Sequence, residues 1–498
     1  MSEEAEVAGF LGGRSESVIE TSCARVFLNG PQALKVKRRL DLGFLDFTTL
    51  EKRRWAVERE LAFNQATAPD IYRAVRRITR EADGRLAVDG AGEVVDYALE
   101  MRRFDETAVL SERPEAVDGD LAEALGRLIA RAHAAAPVRP DAGGLKALKY
   151  TIDSNAEVLG ALTGELGEGE VADLVARTYA ALRAATPLLE ARKAAGFGRR
   201  CHADLHLGNI LLENGRPVLF DCIEFNDQLS DIDVQYDVAF LLMDLAFRGR
   251  GEAGARVLAT WLDQSARTFG PAVYDGLAAL PLMLSVRAAV RAHVAVHSGD
   301  VERGRDYLAA ARRHLSPPPP RLAAVGGLSG AGKSTFARAA APALGAPPGA
   351  VVLRTDEVRK RLAGVDPLER LPASAYEPAF YAAVYDAVFD AAARMLRAGW
   401  SVVLDASFVD DVARRRAEAL AGELAVPFDG VWLEAPTAVL EQRVRGRTAD
   451  ASDATVETIA MQQARNLGRI EWLVMDVTDG AAPAAQSWAS RRGLGEAK

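Results

Sequence analysis

The stretch Gly327-Leu-Ser-Gly-Ala-Gly332-Lys333-Ser334 is a complete G-x-x-x-x-G-K-[ST] phosphate loop. An apolar run at 322–326 precedes it and a predicted helix at 333–345 follows it, which is the strand, loop and helix order that such a loop needs. Its glycines let backbone N–H groups turn towards phosphate oxygens, and the lysine neutralises their charge. At average glycine content, a chance match is expected in only about 0.01–0.02 of chains of this length. The loop therefore predicts a nucleotide site.

Strands and helices alternate throughout the part of the chain that carries this loop. Helical stretches such as 333–345 and 376–398 separate the apolar runs, which lie near 322–326, 351–354, 401–405 and 429–433. Such alternation predicts an α/β fold with a parallel sheet covered by helices on both faces.

The loop supplies most of the predicted nucleotide contacts of this α/β part. We expect Lys333 to neutralise the β- and γ-phosphates and to take part in catalysis, and the Ser334 hydroxyl to bind Mg²⁺. Asp405 ends the strand at 401–405 and is a plausible Walker-B-like acid for the same magnesium. The nucleotide-binding residues predicted here are Gly327, Leu328, Ser329, Gly330, Ala331, Gly332, Lys333, Ser334 and Thr335.

Two further groups of polar residues stand near the predicted strand ends. Asp356 follows the strand at 351–354, where an acid suits a general base or an acceptor-orienting group, and Arg359 is then placed to hold the substrate. Helix capping by Asp356 with solvated basic residues after it is the alternative. Arg443, Arg445 and Arg447 are expected to close over the phosphates as a lid. Surface arginines are common in this chain, so a plain surface position is the alternative for all three.

Four consecutive prolines, Pro317 to Pro320, mark the clearest boundary in the sequence. Prolines cannot continue a helix and favour an extended connection. With 498 residues the chain also exceeds what one core usually supports. We therefore predict a domain at 1–315, a linker at 316–320 and a second domain at 321–498. Within the first domain, residues 20–110 predict strands around one helix near 48–66, and residues 118–315 predict mainly helices.

The helical part is interrupted by a segment rich in polar side chains, His202-Ala203-Asp204 to Asp221. Asn214-Gly215 stands between two apolar runs, which is the strongest short signal for a two-residue hairpin turn. Counting back from that turn sets Asn209 opposite Phe220, so Asn209 and Asp221 meet at the open end of the hairpin. Their oxygens are hard ligands suited to Mg²⁺ that carries ATP phosphates. Asp204 is left to accept a proton from an acceptor hydroxyl.

The segment Cys201-His-Ala-Asp-Leu-His-Leu-Gly-Asn209 resembles the aminoglycoside phosphotransferase family, whose fold is the two-lobed α+β fold of protein kinases. The resemblance covers residues of about 20–310. It implies that Asp204 is the catalytic base and that Asn209 and Asp221 bind magnesium.

The same resemblance assigns residues of the small lobe. Lys35 looks like the strand lysine that grips the phosphates, with Glu60 as its ion partner. Lys37 and Glu58 are the respective alternatives.

Two more positions follow from the resemblance. Glu100 and Met101 look like the hinge that holds adenine, and Asp237 looks like the acid that braces the catalytic loop. A plain helix-surface acid is the alternative for Asp237. Asp221 is followed by Cys222-Ile223 and not by Phe-Gly, which favours a small-molecule kinase over a protein kinase.

The α/β part resembles P-loop kinases of the gluconate kinase, polynucleotide kinase and zeta-toxin type, over residues of about 321–480. The joined architecture resembles the bifunctional aminoglycoside phosphotransferase/ATP-binding proteins over nearly the whole chain. These resemblances imply an ATP- and Mg²⁺-dependent phosphotransferase with two sites. The alternative is a regulatory protein in which one module binds ATP without catalysing transfer.

Composition narrows the partners. The net charge is −8 with charges of both signs dispersed, which argues against a protein that coats nucleic acid. Three cysteines without C-x-x-C spacing predict no disulfide framework. The sequence shows no signal peptide and no membrane span of about 20 apolar residues. We therefore expect a cytoplasmic enzyme that acts on small-molecule acceptors.

Overall fold

The computed structural model describes residues 2–21, 23–41, 43, 45–446 and 450–494. We call residues 2–315 of this set the first module and residues 321–494 the second module.

An antiparallel six-stranded sheet begins the first module, in the strand order β1-β2-β3-β6-β4-β5. Helix α2 packs its Val57 against one face, and Val7 of helix α1 packs on the other. Strand β4 was not predicted, because four arginines among its nine residues obscure the apolar alternation. The elements are α1 Glu3–Gly12, β1 Ser17–Glu20, β2 Ala24–Asn29, β3 Gln32–Lys37, α2 Leu50–Asn64, β4 Tyr72–Arg80, β5 Leu86–Val88 and β6 Glu93–Arg102.

A mainly helical lobe follows this sheet, interrupted by four short strands. Strands β8 and β9 form a hairpin, and β7 pairs with β10. Helix α8 is buried along almost its whole length, which makes it the centre of the lobe. The elements are α3 Gly119–Ala135, α4 Gly144–Ala161, α5 Thr163–Leu166, α6 Glu168–Ala194, β7 Gly198–Arg200, β8 Ile210–Glu213, β9 Arg216–Leu219, α7 Asp227–Ser230, β10 Asp231–Asp233, α8 Val234–Phe247, α9 Gly251–Phe269, α10 Ala272–Asp275, α11 Leu280–His297 and α12 Val301–His314.

The second module is built on a parallel five-stranded sheet in the order β12-β13-β11-β14-β15. The four predicted strands and the parallel arrangement are confirmed, while β15 was not predicted. The elements are β11 Leu322–Gly327, α13 Lys333–Ala340, β12 Val351–Arg354, α14 Thr355–Leu362, α15 Pro378–Arg397, β13 Val402–Asp405, α16 Asp411–Glu423, β14 Phe428–Glu434, α17 Thr437–Arg445, α18 Val456–Gln463, β15 Leu473–Asp476 and α19 Ala481–Arg491.

The two modules pack directly against each other. Ala255 of α9 lies within the hydrophobic cluster of the second module. Arg338 of α13 binds Glu123 of α3 at 2.5 Å, and Arg361 of α14 binds Asp263 of α9. Residues 316–320, which stand between the two modules in the sequence, adopt neither helix nor strand.

One helical stretch, Ala272–His297, has the length and mean hydropathy of a membrane span. However, 78% of its apolar window is buried inside the protein, as in the core helix of a globular domain.

Candidate active sites

The β8–β9 hairpin has the predicted register. Glu213 pairs with Arg216 and Ile210 with Leu219, and the N–H of Phe220 donates to the carbonyl oxygen of Asn209 at 3.1 Å. Asn214 and Gly215 have φ values of 51° and 72°, which the tight turn requires. Asn209 therefore lies opposite Phe220, and Asp221 follows at the open end of the hairpin.

Asp204 is held in place by two neighbours. Asn209 Nδ2 donates to Asp204 Oδ2 at 2.8 Å and to its carbonyl oxygen at 2.9 Å. His206 Nδ1 accepts from the N–H of Gly208 at 3.0 Å, so the ring proton is on Nε2, which lies 3.4 Å from Asp204 Oδ2. Burial works to raise the pKa of Asp204, but the neighbouring His206 outweighs it and holds that pKa below its usual range. Asp204 is therefore ionised at neutral pH.

Asp237 braces the loop that carries Asp204. Its buried carboxylate accepts from the N–H of Ala203 at 2.7 Å and from the N–H of His202 at 3.3 Å. His133 Nε2 contacts the same carboxylate at 3.0 Å, and Trp261 Nε1 donates to His133 Nδ1 at 3.0 Å. Asp237 is thus not a surface acid. His133 and Trp261 were missed, because they belong to distant helices and carry no local sequence signal.

Lys35 lies between two carboxylates. Its Nζ is 2.7 Å from Glu60 Oε1 and 2.8 Å from Asp221 Oδ1. Glu58, the alternative partner, instead pairs with Arg54 on the exposed face of α2. Burial works to raise the pKa of Glu60, but the charges of Lys35 and Lys37 outweigh it and lower the pKa to about 2.

Lys37 contacts the other oxygen of the same glutamate. Its Nζ is 2.7 Å from Glu60 Oε2 and 2.6 Å from Glu224 Oε1, and its side chain is only 3% exposed. Of the two candidate lysines, Lys35 is therefore the more exposed and the one that contacts Asp221.

Glu100 and Met101, the expected hinge, lie within strand β6. The strand has paired neighbours on both sides, and the Glu100 carboxylate accepts from Arg76 Nε at 2.5 Å. The chain leaves the sheet only after Arg102, so the end of the strand lies beyond the two predicted residues.

The phosphate loop of the second module sits between β11 and α13. Gly330 has a φ of 83°, and a Cβ there would lie 2.4 Å from the carbonyl oxygen of Leu440 in α17. Lys333 Nζ donates to the carbonyl oxygen of Leu328 at 3.0 Å. The N–H of Ser329 donates to Gln462 Oε1 at 2.8 Å. Gln462 was missed, since it lies more than a hundred residues after the loop.

The next side chain of the loop helix meets the end of β13. Ser334 Oγ donates to Asp405 Oδ2 at 2.5 Å. Arg354, at the end of β12, contacts the same carboxylate oxygen at 3.3 Å and binds Asp450 at 2.9 Å. The predicted pair of Ser334 and Asp405 is therefore brought together, and Arg354 is an additional charged neighbour.

Asp356 lies in the first turn of α14, at the same edge of the sheet. Burial raises its pKa, and Arg354 opposes that rise. Arg359, one turn later, is 4% exposed and donates from Nη1 to the carbonyl oxygen of Ala375 at 2.9 Å. Its guanidinium lies 4.9 Å from the ring centre of Tyr376, and its Nε has no hydrogen-bond partner among the described residues.

The predicted lid arginines differ from one another. Arg443 donates to the carbonyl oxygens of Val477 at 2.7 Å and Thr478 at 3.0 Å. Arg445 pairs with Glu441 of its own helix. Arg447 lies outside the described residues.

The donor atoms at both sites fit a hard divalent cation such as Mg²⁺. In the first module, Asn209 uses its amide nitrogen on Asp204, which leaves its amide oxygen for a cation beside the Asp221 carboxylate. In the second, a hydroxyl and a carboxylate already meet at 2.5 Å in Ser334 and Asp405.

Comparisons with known proteins match both modules. The model of the phosphotransferase enzyme family matches residues 47–279, and that of an AAA domain matches residues 322–467. The uncharacterized proteins Rv2004c of Mycobacterium tuberculosis and Mb2027c of Mycobacterium bovis are each 31% identical to this chain. The alignment spans 487 residues, 94% of this chain and 93% of each relative.

Solved structures are more distant. The GDP complex of aminoglycoside 2'-phosphotransferase-IIIa is 14% identical with a TM-score of 0.37, covering 63% of this chain and 99% of that chain. The Mycobacterium tuberculosis APS kinase CysC, with AMPPNP and APS, is 18% identical with a TM-score of 0.26, covering 35% of this chain and 99% of that chain. On the evidence of the full-length relatives, the chain belongs to the family of these mycobacterial proteins, and the two family models show that it joins a phosphotransferase domain to a P-loop kinase domain.

Proposed function

We propose that this protein is an ATP- and Mg²⁺-dependent phosphotransferase with one active site in each module. Each site transfers the γ-phosphate of ATP to a hydroxyl group of a small molecule. The domains are residues 1–315 and 321–498, joined by the linker at 316–320. The observation that carries the proposal is the meeting of Lys35, Asp221, Asn209 and Asp204 at one end of the β8–β9 hairpin.

In the first module, Asp204 is the catalytic base. Asn209 and His206 both contact its Oδ2, so Oδ1 is the oxygen that accepts the proton of the acceptor hydroxyl. Lys35 binds the α- and β-phosphates, and Asp221 and Asn209 hold the magnesium. Bound magnesium supplies positive charge that offsets the charge on the transferring phosphoryl group.

In the second module, backbone N–H groups of the loop and Lys333 bind the β- and γ-phosphates. Ser334 and Asp405 hold the magnesium, and Asp356 orients the acceptor hydroxyl. A raised pKa brings Asp356 closer to the range in which a carboxylate accepts a proton efficiently. Arg359 contacts the acceptor, and Arg443 with Arg447 closes over the nucleotide.

The partners follow from the same sites. Both modules contact small molecules, and the location is cytoplasmic, with neither a membrane nor a nucleic acid as partner. The net charge of −8, with charges of both signs dispersed along the sequence, argues against a polyanion as partner.

The proposal is tested by ³²P transfer from ATP to a panel of metabolites and aminoglycosides. Asp204→Asn and Lys333→Ala are measured separately and together. We expect Asp204→Asn to lower transfer to one set of acceptors by about 10²–10⁴-fold, the usual contribution of a catalytic acid or base. We expect Lys333→Ala to lose transfer to the other set, and each single variant to keep the set that the other loses. If neither substitution lowers transfer or ATP turnover, the proposal is wrong. If only one matters, the chain is the regulatory alternative, with a single catalytic module.

A further inference from the structure

Lys35, the lysine proposed to bind phosphate in the first module, belongs to a cluster of five charged side chains. Glu60, which is fully buried, is at its centre and contacts Lys35 through Oε1 and Lys37 through Oε2, both at 2.7 Å. Each lysine then contacts one acid of the segment 221–224. Lys35 is 2.8 Å from Asp221, and Lys37 is 2.6 Å from Glu224. The segment is therefore tied to Glu60 by two parallel lysine bridges.

The two bridges differ in exposure. In the outer bridge, the side chains of Lys35 and Asp221 are 13% and 45% exposed. In the inner bridge, those of Lys37 and Glu224 are 3% and 5% exposed. A ligand that approaches from solvent can therefore reach the outer bridge, while the inner bridge is buried.

A bound nucleotide competes for the outer bridge. Phosphate oxygens attract a lysine ammonium as strongly as a carboxylate does, so Lys35 cannot serve Asp221 and the phosphates equally. Asp221 also has a φ of 63°, a backbone conformation that a residue with a side chain keeps only when its surroundings hold it.

The inner bridge is placed to supply that hold. Glu224 lies three residues after Asp221, and its carbonyl oxygen accepts from Arg59 Nε of α2 at 2.9 Å. The N–H of Cys222 donates to Asn64 Oδ1, also in α2, at 2.9 Å. Lys37 in addition keeps a positive partner on Glu60, whose buried charge would be costly alone.

We propose that Lys37 and Glu224 are positioning residues that hold the Asp221 segment against α2 when Lys35 turns from Asp221 to the phosphates of a nucleotide. They touch neither the nucleotide nor the reacting atoms. The proposal rests on the nucleotide site proposed for the first module.

The test uses the full chain carrying Lys333→Ala, so that nucleotide binding is measured at the first module. In this background the double variant Lys37→Met/Glu224→Met removes the inner bridge. Both charges of the bridge are lost together, so neither is left without the other. Glu224→Gln is a second variant that keeps the shape of the side chain, and Lys35→Met is the comparison. A fluorescent ATP analogue reports binding with Mg²⁺ and in EDTA. Hydrogen exchange reports the protection of residues 221–224 with and without nucleotide.

We expect the inner-bridge variants to keep metal-free nucleotide affinity within about twofold, because Lys35 is intact. We expect the Mg²⁺ concentration for half-maximal binding to rise by about tenfold, as when a residue behind a metal ligand is lost. We expect nucleotide addition to increase the hydrogen exchange of residues 221–224 in these variants and not in the parent chain. Lys35→Met lowers nucleotide affinity in EDTA as well.

Either of two results would contradict the positioning role without contradicting the function proposed for the first module. One is an unchanged Mg²⁺ dependence with unchanged protection of 221–224 in both inner-bridge variants. The other is a loss of metal-free affinity as large as that of Lys35→Met, which would make Lys37 a nucleotide ligand. If the parent chain with Lys333→Ala binds no nucleotide at all, the function proposed for the first module fails, and the positioning role fails with it.

Discussion

The two proposed sites would hold a nucleotide with different parts of the polypeptide. In the second module the groups are mainly backbone N–H groups of eight consecutive residues, shaped by glycines. In the first module they are side chains that lie far apart in the sequence: Lys35 is held by Glu60 and by Asp221, and Lys35 and Asp221 are 186 residues apart. A backbone site depends on local shape, whereas a side-chain site depends on a network of charges. A single substitution in the loop should therefore cause a large loss of nucleotide affinity at the second site. A substitution in the charge network should lower the affinity of the first site only partly.

The sharpest effect is expected from Gly330→Ala. A Cβ at this left-handed position costs about 1–2 kcal/mol by itself, and it would also lie 2.4 Å from the carbonyl oxygen of Leu440. We expect nucleotide affinity at the second site to fall by about 100-fold or more, equivalent to roughly 2.7 kcal/mol. Equilibrium nucleotide binding measures it in a Lys35→Met background, which removes the lysine proposed to bind phosphate at the first site. Gly422→Ala, in a helix and with nothing within 4 Å of the added Cβ, is the matched control and should bind normally. Equal losses in both variants would contradict the local-shape argument.

A graded effect is expected from Glu60→Gln in the first module. A neutral amide no longer balances Lys35 and Lys37, so Lys35 is held less firmly for the phosphates. We expect about a tenfold loss of nucleotide affinity, or roughly 1.4 kcal/mol, measured with Lys333→Ala present. Glu58→Gln is the matched control on the same helix. Its exposed pair with Arg54 contributes at most about 1 kcal/mol to stability, so nucleotide affinity should not change. A comparable loss for Glu58→Gln would rule out the assignment of Glu60.

Acidification should affect the two sites at different pH values, because the pKa of Glu60 in the first module is lowered and that of Asp356 in the second is raised. Glu60 has a pKa of about 2 in the folded state against 4.5 in the unfolded chain. Its stabilising contribution is therefore complete above pH 4.5 and is lost as the pH falls towards 2. Burial raises the pKa of Asp356, so Asp356 takes up a proton at higher pH than an ordinary aspartate.

As the pH is lowered from 7, second-site transfer should therefore decline before the first module loses stability. Rate profiles for each site, taken with the other site inactivated, together with circular dichroism melts from pH 3 to 7, measure this order. A decline of both transfers at the same pH, together with unfolding, would contradict it.

The same difference explains what could be predicted from the sequence. The phosphate loop and its sheet follow from consecutive residues, and the Asn214-Gly215 turn set the register that puts Asn209 opposite Phe220. Contacts made by single side chains from distant elements were not predictable. Trp261 and His133, which support Asp237, and Gln462, which contacts the phosphate loop, have no periodicity or spacing of their own.

The smallest effect is expected at Ala203, the residue before the proposed base. It has a φ of 72° and is held there because its N–H donates to Asp237 at 2.7 Å. Glycine adopts this conformation without the steric cost that alanine pays, so Ala203→Gly should stabilise the protein by up to about 1 kcal/mol. Urea unfolding measures the change, with Ala180→Gly as a control of opposite sign. Ala180 is exposed within α6, where glycine costs about 1 kcal/mol. Ala203 is also buried, so its methyl group contributes some packing that glycine loses. Destabilisation as large as that of Ala180→Gly would mean that the backbone at Ala203 carries no steric cost for glycine to relieve.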